Sequence, residues 1–272
     1  MTYVHAVGYR RDHSLRVPES VATEEPLEIR VAGPGQVAQP AVVTMRTPGH
    51  DFELAAGFLI TEGLTVGADV AAVAYCDAAK PENRCNTVTV SLRRAWDPTS
   101  TKRDFVATSA CGVCGKSSIA AVELTCPTVP PGPPIAASLI PSLPDRLRAG
   151  QRVFDSTGGL HAAGLFDGGG QRLCVREDVG RHNAVDKVVG NRLLSLPGSP
   201  RIEGSVLMVS GRVSFEIVQK AAMAGIAILA AVSAPSSLAV AAADRLGLTV
   251  AGFVRDGRYN IYSHPERIDL DR

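Results

Sequence analysis

From Pro26 the hydrophobic and polar positions alternate with period two: Leu27, Ile29 and Val31 are separated by Glu28 and Arg30. That pattern predicts a half-buried strand. Gly33-Pro34-Gly35 reads as a turn and Ala41 to Met45 as a second strand, stopped by Thr47-Pro48-Gly49. Phe52, Ala55, Ala56 and Leu59 then fall at helical spacing, with Asp51 as a cap and Gly63 beyond the end, so a helix is expected over 52–61. Val70 to Cys76 and Asn86 to Arg93 read as further strands. Residues 1–25 carry mixed charge and little periodicity and are expected to form an irregular N-terminal tail. The segment 26–126 is expected to be a small α+β domain.

Seven prolines between Pro127 and Pro144 mark 127–143 as a linker. Beyond it the pattern gives a helix over 144–154, strands over 160–166 and 171–176, and a helix over 181–194. A strand over 205–209, a helix over 214–224, a strand over 226–232 and a helix over 235–246 follow, with strands over 249–254 and 259–262 at the end. Helices alternating with apolar strands imply an α/β domain over 144–272 built on a mixed, mostly parallel sheet flanked by helices. A hairpin entered from a helix and followed by repeated α-β units resembles the cytidine deaminase-like fold. Deaminases place zinc ligands at two helix starts as H-x-E and P-C-x-x-C. Here those places read Asp178-Val179-Gly180-Arg181-His182-Asn183 and Ser210-Gly211-Arg212-Val213-Ser214. One histidine and no cysteine cannot supply three zinc ligands, so no deaminase activity is expected. Glycine plus arginine at a helix start points to anion binding instead.

Composition narrows the function classes. The 272 residues carry 28 Lys+Arg against 27 Asp+Glu, a formal charge of +1, which argues against a general nucleic-acid binder. Only five of the cations are lysines; base-composition bias accounts for the arginine excess as a set, although the guanidinium fork also suits phosphate. The longest uncharged stretch, Ala221 to Ala243, is broken by Ser233, Pro235, Ser236 and Ser237 and reads as strand, turn and helix, so no membrane span is expected. The chain starts without a charged segment leading into an apolar one, and six cysteines in this length suit a reduced, cytoplasmic setting.

The sharpest motif is Thr108-Ser109-Ala110-Cys111-Gly112-Val113-Cys114-Gly115-Lys116-Ser117-Ser118. Two thiols two residues apart suit metal ligation, disulfide exchange or sulfur relay. Lys116 and a helix starting near Ser117 would raise the thiolate fraction. Cys76 and Cys85 could complete a zinc site, although their separation is not that of a zinc knuckle. A thioredoxin-type pair is disfavoured because the motif does not follow the first strand of a βαβ unit. Cys126 and Cys174 read as buried small hydrophobes.

A second cluster, Arg176-Glu177-Asp178-Val179-Gly180-Arg181-His182-Asn183-Ala184-Val185-Asp186-Lys187, falls at a strand end before a helix, where open α/β sheets bind ligands. His182 is there either a ligand contact or a proton handler. A third, Phe253-Val254-Arg255-Asp256-Gly257-Arg258, can offer guanidinium groups beside an aromatic ring, or be an ordinary Asp-Gly hairpin turn. With Arg181, Gly211 and Arg212 it suggests a phosphorylated, nucleotide-like ligand. Thr157-Gly158-Gly159-Leu160-His161 adds a turn where backbone could approach that ligand.

These blocks, with Arg46-Thr47-Pro48-Gly49-His50-Asp51-Phe52-Glu53-Leu54-Ala55 and Gly211-Arg212-Val213-Ser214-Phe215-Glu216, resemble the formate dehydrogenase accessory proteins of the FdhD type. So does the ending Gly257-Arg258-Tyr259-Asn260-Ile261-Tyr262-Ser263-His264-Pro265. The resemblance implies a cytosolic, homodimeric sulfurtransferase. Such a protein accepts sulfur from a cysteine desulfurase of the IscS type and passes it to the molybdenum or tungsten bis(pterin guanine dinucleotide) cofactor of formate dehydrogenase. It implies Cys111 as persulfide carrier, Cys114 as its partner, Phe253 to Arg258 as the segment that binds the guanine-containing client, and no tightly held metal of the protein's own. A non-catalytic cofactor chaperone, whose CxxC loop only binds metal or a partner, is the alternative.

Overall fold

The computed structural model describes residues 1–10, 13–76, 84–98, 126–196, 202 and 204–271. Cys111, Cys114, Lys116 and the helix expected near Ser117 lie outside the described residues.

The chain starts with β1 (Thr2–Arg10) and β2 (His13–Val21), an antiparallel pair in register from Thr2↔Val21 to Arg10↔His13. This corrects the expectation of an irregular tail. The pair was not legible because its apolar residues fall on both faces, Tyr3 and Val7 on one and Val4 and Ala6 on the other, so no one-sided alternation marks it.

Next come β3 (Glu25–Ala32), β4 (Gln39–Arg46), α1 (Asp51–Thr61), β5 (Val70–Tyr75) and β6 (Thr87–Leu92). The strands form one sheet in the order β4-β3-β6-β5, with only β3 and β6 parallel. Leu27, Ile29, Val31, Val88 and Val90 are fully buried against Leu54 and Leu59 of α1, as the alternation requires. The cap of α1 differs from expectation. His50, at φ 58°, is the N-cap. The Asp51 carboxylate is instead engaged by the buried Arg46 (Nε–Oδ1 3.0 Å, Nη2–Oδ2 3.1 Å) and by the Tyr75 hydroxyl at 3.0 Å. A buried guanidinium needs a counter-charge more than a helix end needs a cap.

The stretch expected as a linker is partly ordered structure. β7 (Ile135–Ala136) pairs in parallel with β14 (Ile268–Asp269), and a 3-10 helix, Ala137–Ser142, follows. Prolines cluster before Ile135, and only Pro141 interrupts the next turns. The single helix expected over 144–154 is two short ones, α2 (Leu143–Arg148) and α3 (Arg152–Thr157), parted at Ala149-Gly150.

The C-terminal unit contains β8 (His161–Asp167), β9 (Arg172–Asp178), α4 (Arg181–Ser195), β10 (Ser205–Val209), α5 (Phe215–Met223), β11 (Ile228–Ala231), α6 (Ser237–Leu246), β12 (Thr249–Arg255) and β13 (Arg258–Ser263). The sheet order is β13-β12-β11-β10-β8-β9. Only β10/β11 and β11/β12 are parallel; the outer pairs are antiparallel hairpin neighbours. The sheet is therefore mixed, as expected, with fewer parallel pairs than the alternation of helices and strands implied. Val185, Val188, Ile217, Ala221 and Ala239 from α4, α5 and α6 cover one face, while Leu139, Ile140, Leu143 and Leu147 cover the other. Among the described residues, no helix is long and apolar enough to cross a membrane.

Helices α1 and α4 join the two units backbone to backbone. A Cβ on Gly57 would lie 1.9 Å from the Asp186 carbonyl oxygen, and one on Gly190 1.9 Å from that of Glu53. Lys220 Nζ, buried beneath this crossing, binds Asp186 Oδ1 at 2.9 Å, Glu62 Oε1 at 2.8 Å and Thr61 Oγ1 at 3.0 Å.

Candidate functional site

β10, β11 and β12 point their carboxyl ends to one edge of the sheet, and the loops beyond them are tied together there. Val213 donates to the Ala234 carbonyl at 3.1 Å, Ser236 to that of Val213 at 2.9 Å, and Phe253 to that of Ser233 at 3.1 Å. The antiparallel β8 and β9 bring His161 and Asp178 to the same edge as register partners. This is the end of an α/β sheet where ligands bind.

A cleft of about 640 Å³ opens on this edge, lined among others by Leu147, Arg148, Phe154, His161, Val179 and Ser210. That volume is in the range of small-molecule sites. Its floor is held by a reciprocal pair: the Ala162 amide donates to Ser210 Oγ at 2.9 Å and the Ser210 amide to the Ala162 carbonyl at 3.0 Å. Gly211 sits where a Cβ would lie 3.4 Å from His161 Nδ1 and 3.9 Å from Arg181 Cδ. His161, Arg181 and Gly211 therefore form one corner of the edge, joined by His182, whose Nε2 lies 3.4 Å from Ser214 Oγ.

Electrostatics at this corner favour neutral imidazoles beside a cation. Burial, then the Arg181 guanidinium, pushes the His161 imidazole below its ordinary value. Burial, reinforced by Lys220, Arg181 and His161, pushes His182 down to about 3. At neutral pH the His182 imidazole is thus neutral and available as a hydrogen-bonding group. Arg181 Nε is buried and has no hydrogen-bond partner among the described residues, an orphan donor that an anionic ligand would satisfy. Ser214, the N-cap of α5, makes no side-chain capping bond, so the amides of that helix start are not taken by their own cap.

The remaining predicted residues sit further along the same edge. Arg212 is exposed. Asp256 (φ 51°) and Gly257 (φ 73°) both take positive φ in the two-residue turn between β12 and β13, the geometry of a type I′ hairpin. Phe253, also at positive φ (54°), stands in a bulge of β12, exposed, with the Arg255 guanidinium carbon 5.8 Å from its ring centroid. A bulky residue held in this region is strained and worth a functional explanation. Arg255 and Arg258 are exposed register partners. Val254 is fully buried in the core and its side chain is not available to a ligand. Three strand steps separate β12 from β8, roughly 15 Å at about 4.8 Å per step. The edge therefore carries two neighbouring groups, and a ligand touching both must be extended.

The charged run at 176–187 is corrected most. Its side chains chiefly lock the two units together. Arg176 Nη2 binds Glu53 Oε1 at 2.7 Å; Lys187 Nζ binds Asp178 Oδ2 at 2.7 Å and the Thr47 carbonyl at 2.8 Å; and Asn183 Nδ2 donates to the Met45 carbonyl at 2.8 Å. Glu177 accepts the amides of Val153 and Phe154 at 2.9 and 2.7 Å, closing the start of α3. Asp178 accepts the Gly180 amide at 2.8 Å, so the start of α4 already holds a carboxylate. Arg181 and His182 are what the run leaves for a ligand. His161 and Ser210 were missed by sequence reasoning, although the glycines before His161 flagged the place.

Of the cysteines, Cys174 is buried, with a thiol pushed up to about 11 chiefly by burial, and is inert. Cys126 is half-buried against the same core, and Cys85 is exposed. Among the described residues no group of three His, Cys, Asp or Glu side chains could hold a metal.

Comparison with known proteins gives one consistent match. The family model described as FdhD/NarQ family covers residues 22–269. The chain is 50% identical to the sulfur carrier protein FdhD of Streptomyces avermitilis over 93% of this chain and 90% of that protein. It is 48% identical to the protein of that name from Mycobacterium tuberculosis, over 97% and 99%. A crystal structure described as a formate dehydrogenase accessory protein from Desulfotalea psychrophila superposes with a TM-score of 0.75 at 26% identity, covering 98% of this chain and 99% of that one.

Proposed function

Since the chain belongs to the FdhD/NarQ family, we propose that it is a sulfur carrier in formate dehydrogenase maturation. In this reading it works in the cytoplasm as a homodimer. It takes sulfur from a cysteine desulfurase of the IscS type and passes it to the molybdenum or tungsten bis(pterin guanine dinucleotide) cofactor, its substrate. The observation that carries the reading is the 50% identity, over 93% of the chain, to a protein named for sulfur carriage.

The chemistry balances on two thiols. The Cys111 thiolate attacks the outer sulfur of the donor's cysteine persulfide; the donor S–S bond breaks and its cysteine leaves as thiolate, while Cys111 retains the outer sulfur as a persulfide. In delivery the Cys114 thiolate attacks the Cys111 sulfur. A Cys111–Cys114 disulfide forms, the outer sulfur departs at the sulfide level to the client's metal, and a cellular dithiol later reduces the disulfide.

The carboxyl edge supports the binding half of this role. Arg181, whose Nε has no partner among the described residues, and Arg212 and Arg258, both exposed, are suited to phosphate oxygens. Phe253 offers an exposed ring to a base, and the neutral His182 adds no charge that varies near neutral pH. The spread from His161 to Phe253 suits a client with two nucleotide arms. Titration with GDP tests this: wild type binds, and Arg181→Ala and Arg258→Ala each weaken binding at least tenfold. Equal affinity in wild type and both variants would remove the client from this edge.

A further inference from the structure

β9 is an outer strand of the C-terminal sheet, paired with β8 on one side only. Beside it the chain between α2 and α3 is pressed close: a Cβ on Gly150 would lie 2.8 Å from Val175 Cγ1 and 2.9 Å from Val175 Cβ. That approach leaves a second cavity, of about 270 Å³, between the start of α3 and β9, with Arg152, Arg172 and Arg176 in its lining and no carboxylate. Arg192 of α4 acts electrostatically on Cys174, which also lines it. The α2–α3 segment is a wall common to both cavities, with Arg148 and Phe154 on the cleft described above and Gly150 and Arg152 on this one.

The charges here are unevenly matched. Glu53 takes the Arg176 fork, and Asp155 pairs with Arg148. Arg152 and Arg172 are exposed and have no ion pair among the described residues. Guanidinium groups from two separate segments thus meet over one cavity without a counter-charge, and an oxyanion there would relieve their repulsion. A peptide strand added along β9 is disfavoured, because the Val175 carbonyl already accepts from Arg176 Nη1 at 2.9 Å, which blunts the edge. The volume also lies below that of sites for whole drug-sized ligands, roughly 300–1,000 Å³. A compact anion fits the space better than a peptide or a nucleoside.

We propose that this cavity is an oxyanion site, separate from the carboxyl edge, in which Arg152 and Arg172 grip a phosphate group, either free or at the end of a small ester. Arg176, held by Glu53, adds charge without giving up its pair. The site does not depend on the sulfur-carrier reading.

Isothermal titration of the full chain with pyrophosphate, at about 0.15 M salt to screen non-specific attraction, tests it. Wild type should bind at a site whose affinity falls at least tenfold in Arg152→Ala/Arg172→Ala and persists in Arg181→Ala. Both substituted side chains are exposed, so the double variant should keep the wild-type melting temperature, and Arg172→Lys, which keeps the charge without the fork, should lose less than Arg172→Ala. GDP titrated into wild type and the double variant identifies the source of the group. An affinity that falls with the two substitutions assigns it to a nucleotide's terminal phosphate, an unchanged one assigns it to the free anion, and both outcomes support the site. Absence of pyrophosphate binding in wild type, or binding that the double variant keeps in full, overturns it and leaves these arginines as charges that keep a bare edge from pairing. Capture of a polyglutamate peptide that depends on Arg152 and Arg172, without pyrophosphate binding, overturns it in favour of an acidic partner segment.

Discussion

Gly57 of α1 and Gly190 of α4 meet with no side chain between them, each facing the other helix's carbonyls at a distance where a Cβ would lie 1.9 Å from oxygen. The obstacle is backbone on both sides, which cannot swing away as a side-chain end can. Gly57→Ala or Gly190→Ala must push the two helices apart and strain the buried contacts of Lys220 and Lys187 beside them. Each should cost on the order of 3 kcal/mol, read as a lowered midpoint in urea unfolding. A change below about 0.5 kcal/mol, the usual size for surface positions, would mean that the crossing is looser than this geometry.

The Glu53–Arg176 pair ties stability to acid pH. Burial alone would raise the Glu53 carboxyl; hydrogen bonds from Arg176, His50 and Asn191 outweigh it and lower the group from 4.5 to about 2. A carboxyl depressed in the folded state contributes stability that is fully present above its unfolded value and is lost as pH falls toward the folded one. Glu53→Gln should therefore cost about 2 kcal/mol at neutral pH. The gap to wild type should close between pH 4.5 and 2. A gap that stays constant across that window would show that the pair does not carry the linkage.

Phe253 separates stability from function. At φ 54° the phenyl-bearing residue holds a conformation that glycine adopts freely, and its exposed ring loses little packing on removal. Phe253→Gly is expected to leave thermal stability unchanged or raise it by about 1 kcal/mol, while weakening GDP binding at least tenfold. Weakened stability with unchanged nucleotide affinity would make the ring a packing residue.

Much of the fold was legible because its signals are local. Leu27, Ile29 and Val31 alternate onto one helix, and the β10 to β13 region follows its apolar runs closely. What was not legible depends on partners distant in sequence. Arg176, Asp178, Asn183 and Lys187 look like a ligand site as a run of ionisable residues, yet their partners are Glu53, Thr47 and Met45. The two glycines that let α1 and α4 touch are ordinary helix residues in sequence. His161 was passed over because a single histidine after a glycine turn carries no pattern; only the register with Asp178 brings it to the edge. The hairpin at the N-terminus escaped because both of its faces are partly apolar.

The most direct test of sulfur carriage is mass spectrometry of the intact protein and its peptides after incubation with a cysteine desulfurase and cysteine, with thiols blocked before digestion. The prediction is a gain of one sulfur atom on the peptide carrying Cys111, abolished in Cys111→Ala and retained in Cys174→Ala. No added sulfur on that peptide, or uptake that survives Cys111→Ala undiminished, would contradict it.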